Sequence, residues 1–394
     1  MPRSNSILNL PGFTVQKISG YSPVVFELSY RRKASCVHCS SRNLRKKDTF
    51  VRKVWHELMG VRRSLLQIKA YKFHCRSCGR YFNQQFPGII KYQRATERLK
   101  KQLCEQHSQG ISQKDLSRRF KLGKATIERW YHQWYWRANQ EILDRDCPRV
   151  LGIDEHSFSR KRAKKQFATT LCDLRKHRVF DVVSGRSGAD LGDYLCHLKG
   201  KERVKVICMD LSSSYKSIAQ QHFPNAMIVA DRFHVIRQLN QQCLQVYQKI
   251  DPGLKYHRGL LSALRTNPEN LTPKKLKKRN DYFLKQPAVE AVYWFKQRLH
   301  QLLMYKHRTA KQCRRLIPLF LDYIQQLKAS PFKALRTLGK TLYQWREEIV
   351  RMWRFTKSNG ITEGFHRKMK LIQRRAYGFR NFDNYRLRVR VLCS

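Results

Sequence analysis

Three short apolar runs end in aspartate: Val150-Leu151-Gly152-Ile153-Asp154-Glu155, Val204-Lys205-Val206-Ile207-Cys208-Met209-Asp210 and Ala226-Met227-Ile228-Val229-Ala230-Asp231. Runs of this length read as buried strands. Between the first two, Phe167 to Asp173 and Val179 to Val183 flank Arg175-Lys176-His177, which reads as the turn of a meander. Leu191, Tyr194, Leu195 and Leu198 then fall at i, i+3, i+4 and i+7, the spacing of an amphipathic helix. A short helix from Tyr215 to Phe223, stopped by Pro224-Asn225, and a longer one from Phe233 to Ile250 complete the series. The order is β-β-β-α-β-α-β-α, with carboxylates at the ends of the first, fourth and fifth strands. Open α/β sheets place their sites at strand ends. One Asp after a strand is usually a turn or cap residue. Three within 78 residues carry more weight in a chain with only 28 acids.

The 394 residues hold 81 Lys+Arg against 28 Asp+Glu, a net charge of +53. A surface so positive repels itself unless a polyanion lies on it, and nucleic acid is the leading partner. With 41% apolar and 11% aromatic residues the chain can bury real cores, which excludes wholesale disorder. Two to four domains, about 100–200 residues each, are expected. No window approaches the roughly 18 apolar residues of a membrane span, and residues 1–20 show no secretory pattern. No membrane partner is expected. Eight of the twelve cysteines are scattered singly, which suits a reducing, cytoplasmic compartment.

The other four are paired. Cys36-Val37-His38-Cys39 and Cys75-Arg76-Ser77-Cys78 are C-x-x-C knuckles separated by 35 residues. Each offers two thiolates from one tight turn, and together they supply the four soft ligands of a tetrahedral Zn²⁺. Four thiolates leave no open position for chemistry, so the expected zinc is structural. Residues 61–68 and 71–74, between the knuckles, read as strands of a zinc ribbon. His38 reads as a surface residue.

Residues 96–136 read as helices. Ser112 is a natural N-cap for a helix carrying Leu116 and Phe120, Lys121-Leu122-Gly123 makes a short turn, and a second helix starts at Lys124. Ile127, Trp130/Tyr131 and Trp134 form its expected apolar stripe. This is the helix-turn-helix layout, whose second helix enters the major groove. Lys124, Thr126 and Arg129, at the start of that helix, are the expected DNA contacts.

Cleavage of a phosphodiester requires charge stabilisation on attacking and leaving oxygens, and paired divalent cations held by carboxylates provide it. A further acid from a late helix fits the pattern. Ile361, Phe365, Met369 and Ile372 make one apolar stripe, with Glu363 off it and Arg367, Lys370 and Arg374 following. Ser358 or Asn359 would cap this helix. An ordinary surface pair between Glu363 and Arg367 is the plainer reading of the same spacing.

An antiparallel meander leading into parallel β-α-β units resembles the ribonuclease-H-like layout. The stretches GIDEHSF (152–158), MDLSSSY (209–215), PNAMIVADRFHVIRQLN (224–240) and SNGITEGFHRKMKLIQRRAYGFRNF (358–382) resemble the bacterial insertion-sequence transposases of the DDE type, specifically the ISL-three group. The two knuckles and the helix-turn-helix match that family's N-terminal part. The resemblance implies that Asp154, Asp210 and Glu363 form a triad binding two Mg²⁺. Asp231 and His234 resemble a D-x-x-H element near such sites, and a structural cap is an equal reading of Asp231. The implied activity is cleavage at terminal inverted repeats and strand transfer into target DNA, by a homodimer or higher oligomer associated with the nucleoid.

Between Asp231 and Glu363 lie 131 residues, too many for one connection. Residues 251–350 read as an all-helical insertion with a basic run at Lys274-Lys275-Leu276-Lys277-Lys278-Arg279. The expected architecture is multidomain α+β: a zinc-ribbon-like domain (1–92), a helix-turn-helix DNA-binding domain (93–147), the first part of a ribonuclease-H-like catalytic core (148–250), the insertion (251–350), and the second part of the core with the Glu helix (351–394). Three alternatives remain open at this point, of which a general ribonuclease-H-like nuclease is disfavoured by the dedicated recognition front end. A non-catalytic, transposase-derived DNA-binding regulator needs no carboxylate cluster. A tyrosine recombinase would use Tyr377 or Tyr385 as nucleophile.

Overall fold

Strand and helix signals resolve, in the computed structural model, into two units, Met1–Ala138 and Asn139–Ser394. The structure describes residues 8–161, 164–355 and 360–394. Ser358 and Asn359, the expected caps of the Glu363 helix, lie outside the described residues.

The first unit is built on a five-stranded sheet of β1 (Phe13–Ser19), β2 (Val24–Tyr30), β3 (Leu44–Met59), β4 (Arg62–Cys75) and β5 (Tyr81–Asn83), in the order β1-β2-β4-β3 with β5 beside β4. Residues 61–68 and 71–74 are not separate strands. Ser64, Leu66, Ile68 and Ala70 keep one buried face over a single strand β4, packed with Phe26, Leu28, Val54 and Phe86. A register shift against Lys46–Asp48 then turns Phe73 and Cys75 inward. The period of two fixes which face is buried, and the bulge re-aims the strand end that carries the third cysteine.

Three helices follow: α1 (Glu97–Ser108), α2 (Gln113–Phe120) and α3 (Lys124–Leu143). The Thr96 and Ser112 hydroxyls accept from the backbone N–H groups of Leu99 and Asp115, as N-caps do. The left-handed residue of the α2–α3 turn is Lys121, at φ 54°, and not the glycine. The buried stripe of α3 is Ile127, Tyr131 and Tyr135; Trp130 and Trp134 lie one position round the helix and are only half-buried. His107 of α1 stacks on Tyr131 with ring centroids 4.1 Å apart.

The second unit holds β6 (Val150–Lys161), β7 (Lys164–Asp173), β8 (Arg178–Ser184), α4 (Gly188–Cys196), β9 (Val206–Met209), α5 (Ser213–His222), β10 (Met227–Ala230) and α6 (Arg232–Ile250), the expected order. The sheet runs β10-β9-β6-β7-β8, parallel through the first three and antiparallel through the last three. Asp154 does not end its strand, since β6 continues to Lys161 in its hairpin with β7. What ends at Ile153 is the parallel ladder, because β9 stops at Met209.

Leu151, Ile153 and Leu171 turn one sheet face to Leu191, Leu195, Tyr215 and Ile218 of α4 and α5. Ala168 and Cys172 turn the other to Met369, Tyr385 and Val389 near the C-terminus. Between α6 and these lie α7 (Arg258–Arg265), α8 (Pro273–Lys285), α9 (Pro287–Met304), α10 (Ala310–Ala329), α11 (Lys333–Gln344) and α12 (Arg346–Arg351). Their core includes Val235, Leu239 and Val246 of α6 and runs on to Val229 and Ala230 of β10, so these helices share a core with the sheet edge. Arg232 ties them together by donating to the carbonyls of Leu303, Tyr305 and Met352 at 2.6–3.2 Å.

The chain returns through α13 (Gly360–Arg375) and α14 (Phe382–Leu392). Met369, Tyr385 and Val389 pack on the face of Ala168, Cys172, Val179 and Val182. A buried ion pair secures α14: Arg386 donates to both oxygens of Asp181 on β8, at 2.9 and 2.7 Å, and the Tyr194 hydroxyl donates to the same carboxylate at 2.9 Å. Without Arg386 the buried Asp181 keeps the Tyr194 hydroxyl and Arg390, 3.6 Å away, but loses its two shortest charged hydrogen bonds. Arg386→Leu should therefore destabilise the second unit by about 2 kcal/mol, read as a lowered urea midpoint, with Arg386→Lys recovering part of the loss.

Candidate functional site

Strand register brings three aspartates to one height. The last rungs of the parallel ladder pair Ile153 with Met209 and Met209 with Ala230. Asp154, Asp210 and Asp231 are each the next residue, so they sit side by side across β6, β9 and β10 with Asp210 in the middle. Neighbouring strands are about 4.8 Å apart, which is why acids separated by 56 and 21 positions in sequence become neighbours. The Asp231 N–H still reaches the Met209 carbonyl, at 2.6 Å.

These acids line a cleft of about 370 Å³ together with Glu155, Phe233, His234, Arg237, Gly360, Glu363 and His366. Asp154 is 8% and Asp231 1% exposed, unusually deep for carboxylates. One oxygen of Asp154 accepts from the Glu155 N–H at 2.8 Å. His234 stands between two acids, with Nδ1 4.0 Å from Asp210 and Nε2 4.0 Å from Asp231. Asp231 precedes α6 in the N-cap position but its side chain makes no capping bond there, so the cap reading does not describe it.

Burial pushes Asp154 up to about 7; the Glu155 N–H opposes the shift, and the charges of Asp210, Asp231 and Glu155 add to it. Asp210 is likewise raised by burial, with the nearby His234 pulling it back. Its Oδ1 is buried and has no hydrogen-bond partner among the described residues. A buried carboxylate oxygen left unbonded inside a cluster of acids fits a divalent cation, a hard ion that takes oxygen ligands.

Glu363, on the first turn of α13, faces the same cleft and also accepts from Arg367 at 2.9 Å. The surface-pair and cleft readings of its spacing thus describe one side chain. Arg367, Lys370 and Arg374 are exposed along the helix behind it. Lys124 and Arg129 are exposed at the start of α3, with Thr126 half-buried between them. Tyr385 is fully buried with its hydroxyl 2.7 Å from His156, and Tyr377, though exposed, is absent from the cleft lining. Neither is placed as a recombinase nucleophile would be.

Sequence reasoning missed His366, Glu155 and Arg237. His366 carried a legible signal: it follows Glu363 at i+3, as His234 follows Asp231, and residues three apart share a helix face. Its Nδ1 lies 3.8 Å from Asp154. Burial, helped by Lys370, pulls its imidazole down to about 4.

In the first unit the sulfur atoms of Cys36, Cys39, Cys75 and Cys78 lie within 4.8 Å of one another. The Cys36–Cys78 and Cys39–Cys75 separations are both 3.6 Å. A tetrahedron with Zn–S bonds of about 2.3 Å has edges of about 3.8 Å, so the donor set fits zinc. Each knuckle closes through a fifth residue in the left-handed region, Ser40 at φ 61° and Gly79 at φ 69°, whose N–H groups return to the carbonyls of Cys36 and Cys75. No helix among the described residues is long and apolar enough to cross a membrane.

Known proteins resemble this chain over most of its length. Residues 84–135 match the model described as "Helix-turn-helix domain of transposase family ISL3". The chain is 24% identical over 370 residues to the transposase for insertion sequence element IS1001 of Bordetella parapertussis, covering 90% of this chain and 88% of that one. It is 23% identical over 278 residues to the transposase for insertion sequence element IS1557 of Mycobacterium tuberculosis, covering 62% and 60%. Residues 151–389, well over half of the chain and the whole span from Asp154 to Glu363, match the ISL3-type DDE family model described as "Transposase": the chain belongs to the ISL3 family of transposases.

Proposed function

We propose that this chain cuts DNA at the ends of an insertion sequence and joins the freed ends to target DNA, using Asp154, Asp210 and Glu363 as its catalytic acids in a ribonuclease-H-like core. The observation that carries the reading is the unbonded, buried Oδ1 of Asp210 between two further aspartates level with it. Asp154, Asp210 and Glu363 would hold two Mg²⁺, with Asp231 and His234 supporting Asp210 from behind. Bound there, the ions supply Lewis-acid neutralisation of the phosphodiester and lower the pKa of an attacking water.

The protein's own part is binding and alignment. Lys124, Thr126 and Arg129 on α3 contact the terminal repeats, with the four-cysteine module beside them held by Zn²⁺. Arg367, Lys370 and Arg374 lie on the helix that carries Glu363, so phosphates drawn to them run past the acids. Water attacks the phosphodiester and frees a 3′-hydroxyl; that hydroxyl then attacks target DNA, exchanging one phosphodiester for another. Neither step passes through a covalent bond to the protein. Two ends must be joined together, which calls for a homodimer or larger assembly, working at the nucleoid in the cytoplasm. The division into 1–92, 93–147, a core of 148–250 with 351–394, and a helical 251–350 is part of the same reading.

Asp154→Asn, Asp210→Asn and Glu363→Gln should each lower Mg²⁺-dependent nicking of end-bearing DNA at least a thousandfold, on the order of a lost essential group, while gel-shift binding of those ends stays at wild type. Nicking near the wild-type rate removes that residue from the triad, and no nicking by the wild type favours a DNA-binding regulator.

Protons compete with cations for Asp154. The folded carboxyl holds its proton up to about 7 against 3.8 for the ordinary group, so between those values the native state binds the extra proton. Metal-free protein should lose stability as pH rises through this window. The loss should be smaller in Asp154→Asn and reversed by added Mg²⁺, which urea titrations at pH 5 and pH 8 would measure.

Elemental analysis should find one Zn²⁺ per chain and none in Cys75→Ser. That variant should unfold its first unit at lower temperature while the second unit keeps its own transition.

A further inference from the structure

Behind Asp154 a file of polar groups crosses the buried layer between the sheet and α13–α14. Asp154 and His156 alternate onto the same face of β6, and Thr170 stands opposite Asp154 on β7. Thr170 Oγ1 lies 3.0 Å from His156 Nδ1 and 3.1 Å from His366 Nε2. His156 Nε2 lies 2.7 Å from the Tyr385 hydroxyl. The Tyr385 oxygen is also hydrogen-bonded by the Gln373 side chain, whose amide nitrogen donates to the Phe158 carbonyl at 3.2 Å. At the opposite end His366 Nδ1 faces Asp154 Oδ2 at 3.8 Å.

Hydrogen counting gives this file one direction. A threonine hydroxyl has a single proton, so between two ring nitrogens it donates to one and accepts from the other. Each imidazole, uncharged, offers one N–H and one lone pair. If Thr170 donated to His156, His156 would donate to Tyr385, whose own proton would have no acceptor in the file. His366 would then turn a bare lone pair toward Asp154, an unfavourable pairing once that carboxyl is ionised. In the opposite direction Tyr385 accepts from Gln373 and donates to His156, His156 donates to Thr170, and Thr170 donates to His366. The remaining proton of His366 is on Nδ1, facing Asp154. With Asp154 ionised, as a cation ligand is, both ends of the file select the second arrangement.

We propose that Tyr385, His156 and Thr170 form a one-way hydrogen-bond relay that holds His366 in the Nδ1–H tautomer facing Asp154, and so orients that carboxylate for a divalent cation. The inference rests on the reading of Asp154 as a cation ligand. His366 and the three groups behind it are positioning residues. They act on Asp154 Oδ2, while the Glu155 N–H fixes Oδ1. Outer groups of this kind set the geometry and affinity of a ligand they never replace.

The test uses the full-length, zinc-loaded chain labelled with ¹⁵N-histidine, the His366 ring signals being assigned by their loss in His366→Asn. Long-range ¹⁵N–¹H correlation should report the Nδ1–H tautomer in the wild type and a tautomer mixture in Tyr385→Phe and in Thr170→Val. Calorimetry with Mn²⁺ should show a site lost in Asp154→Asn. Its affinity should fall roughly tenfold in Tyr385→Phe and Thr170→Val and return in Thr170→Ser, which restores the hydroxyl. A variant that fails to fold leaves the comparison to the other, with Thr170→Ser as the folded control. Unchanged His366 signals in a folded variant, or unchanged Mn²⁺ affinity, overturn the relay. A wild type with no Asp154-dependent Mn²⁺ site overturns the cation reading itself, and with it the orienting role, whatever the tautomer shows.

Discussion

The cluster of buried carboxylates is the constraint around which the second unit is arranged. Carboxylates at this depth lose hydration and repel one another, and both effects raise Asp154 to about 7. Nothing in their own chemistry keeps them together. The hydrogen-bonded ladder through β10, β9 and β6 does so, because the backbone rungs just below hold the acids level whatever their charge. The apolar residues of these strands are buried on both faces of the sheet and make that ladder hard to deform. The side chains around the acids divide the remaining work: His234 stands between two of them, Arg367 holds Glu363, and His366 faces Asp154.

The same constraint explains the shape of the long stretch between Asp231 and Glu363. Its helices do not form a lobe with a separate core. They wrap α6, and Arg232, the residue after Asp231, is consumed in binding the carbonyls at the ends of two of their turns. Lys216 of α5 reaches the buried Glu348 of α12 at 2.8 Å. The stretch is thereby clamped to the sheet edge close to the acids. Against a net charge of +53, a compact acidic pocket is a local inversion of sign. The surrounding basic surface draws in a polyanion, and the pocket favours small cations.

Much of this was legible from residue order. The strands and helices from Val150 to Ile250 follow from apolar periodicity, and the paired knuckles from their spacing. Glu363 stood out as an acid off the apolar stripe of a basic helix. What misled was local. Asp154 looked like a strand end because β6 turns polar there, yet the hairpin with β7 carries the strand on to Lys161. Trp130 and Trp134 fit an i, i+3, i+7 spacing from Ile127, but the buried row is i, i+4, i+8, so Tyr131 and Tyr135 hold the core positions. Within the turn Lys121-Leu122-Gly123, the left-handed conformation falls on Lys121, which residue order alone does not show.

By itself the sequence determined the kinds of element, the acid-poor charge balance and the identities of the paired donors at 36–39 and 75–78, since each depends on residues close together along the chain. Only the tertiary structure decided which acids meet. Register across three strands set Asp154, Asp210 and Asp231 side by side, and the return of the chain after 131 residues brought Glu363 and His366 to them. It also decided that Tyr385 is an internal hydrogen-bonding partner, because its hydroxyl is buried against a histidine 229 positions away. Local periodicity carries no information about such partners; they are selected by the packing of faces that sequence order leaves far apart.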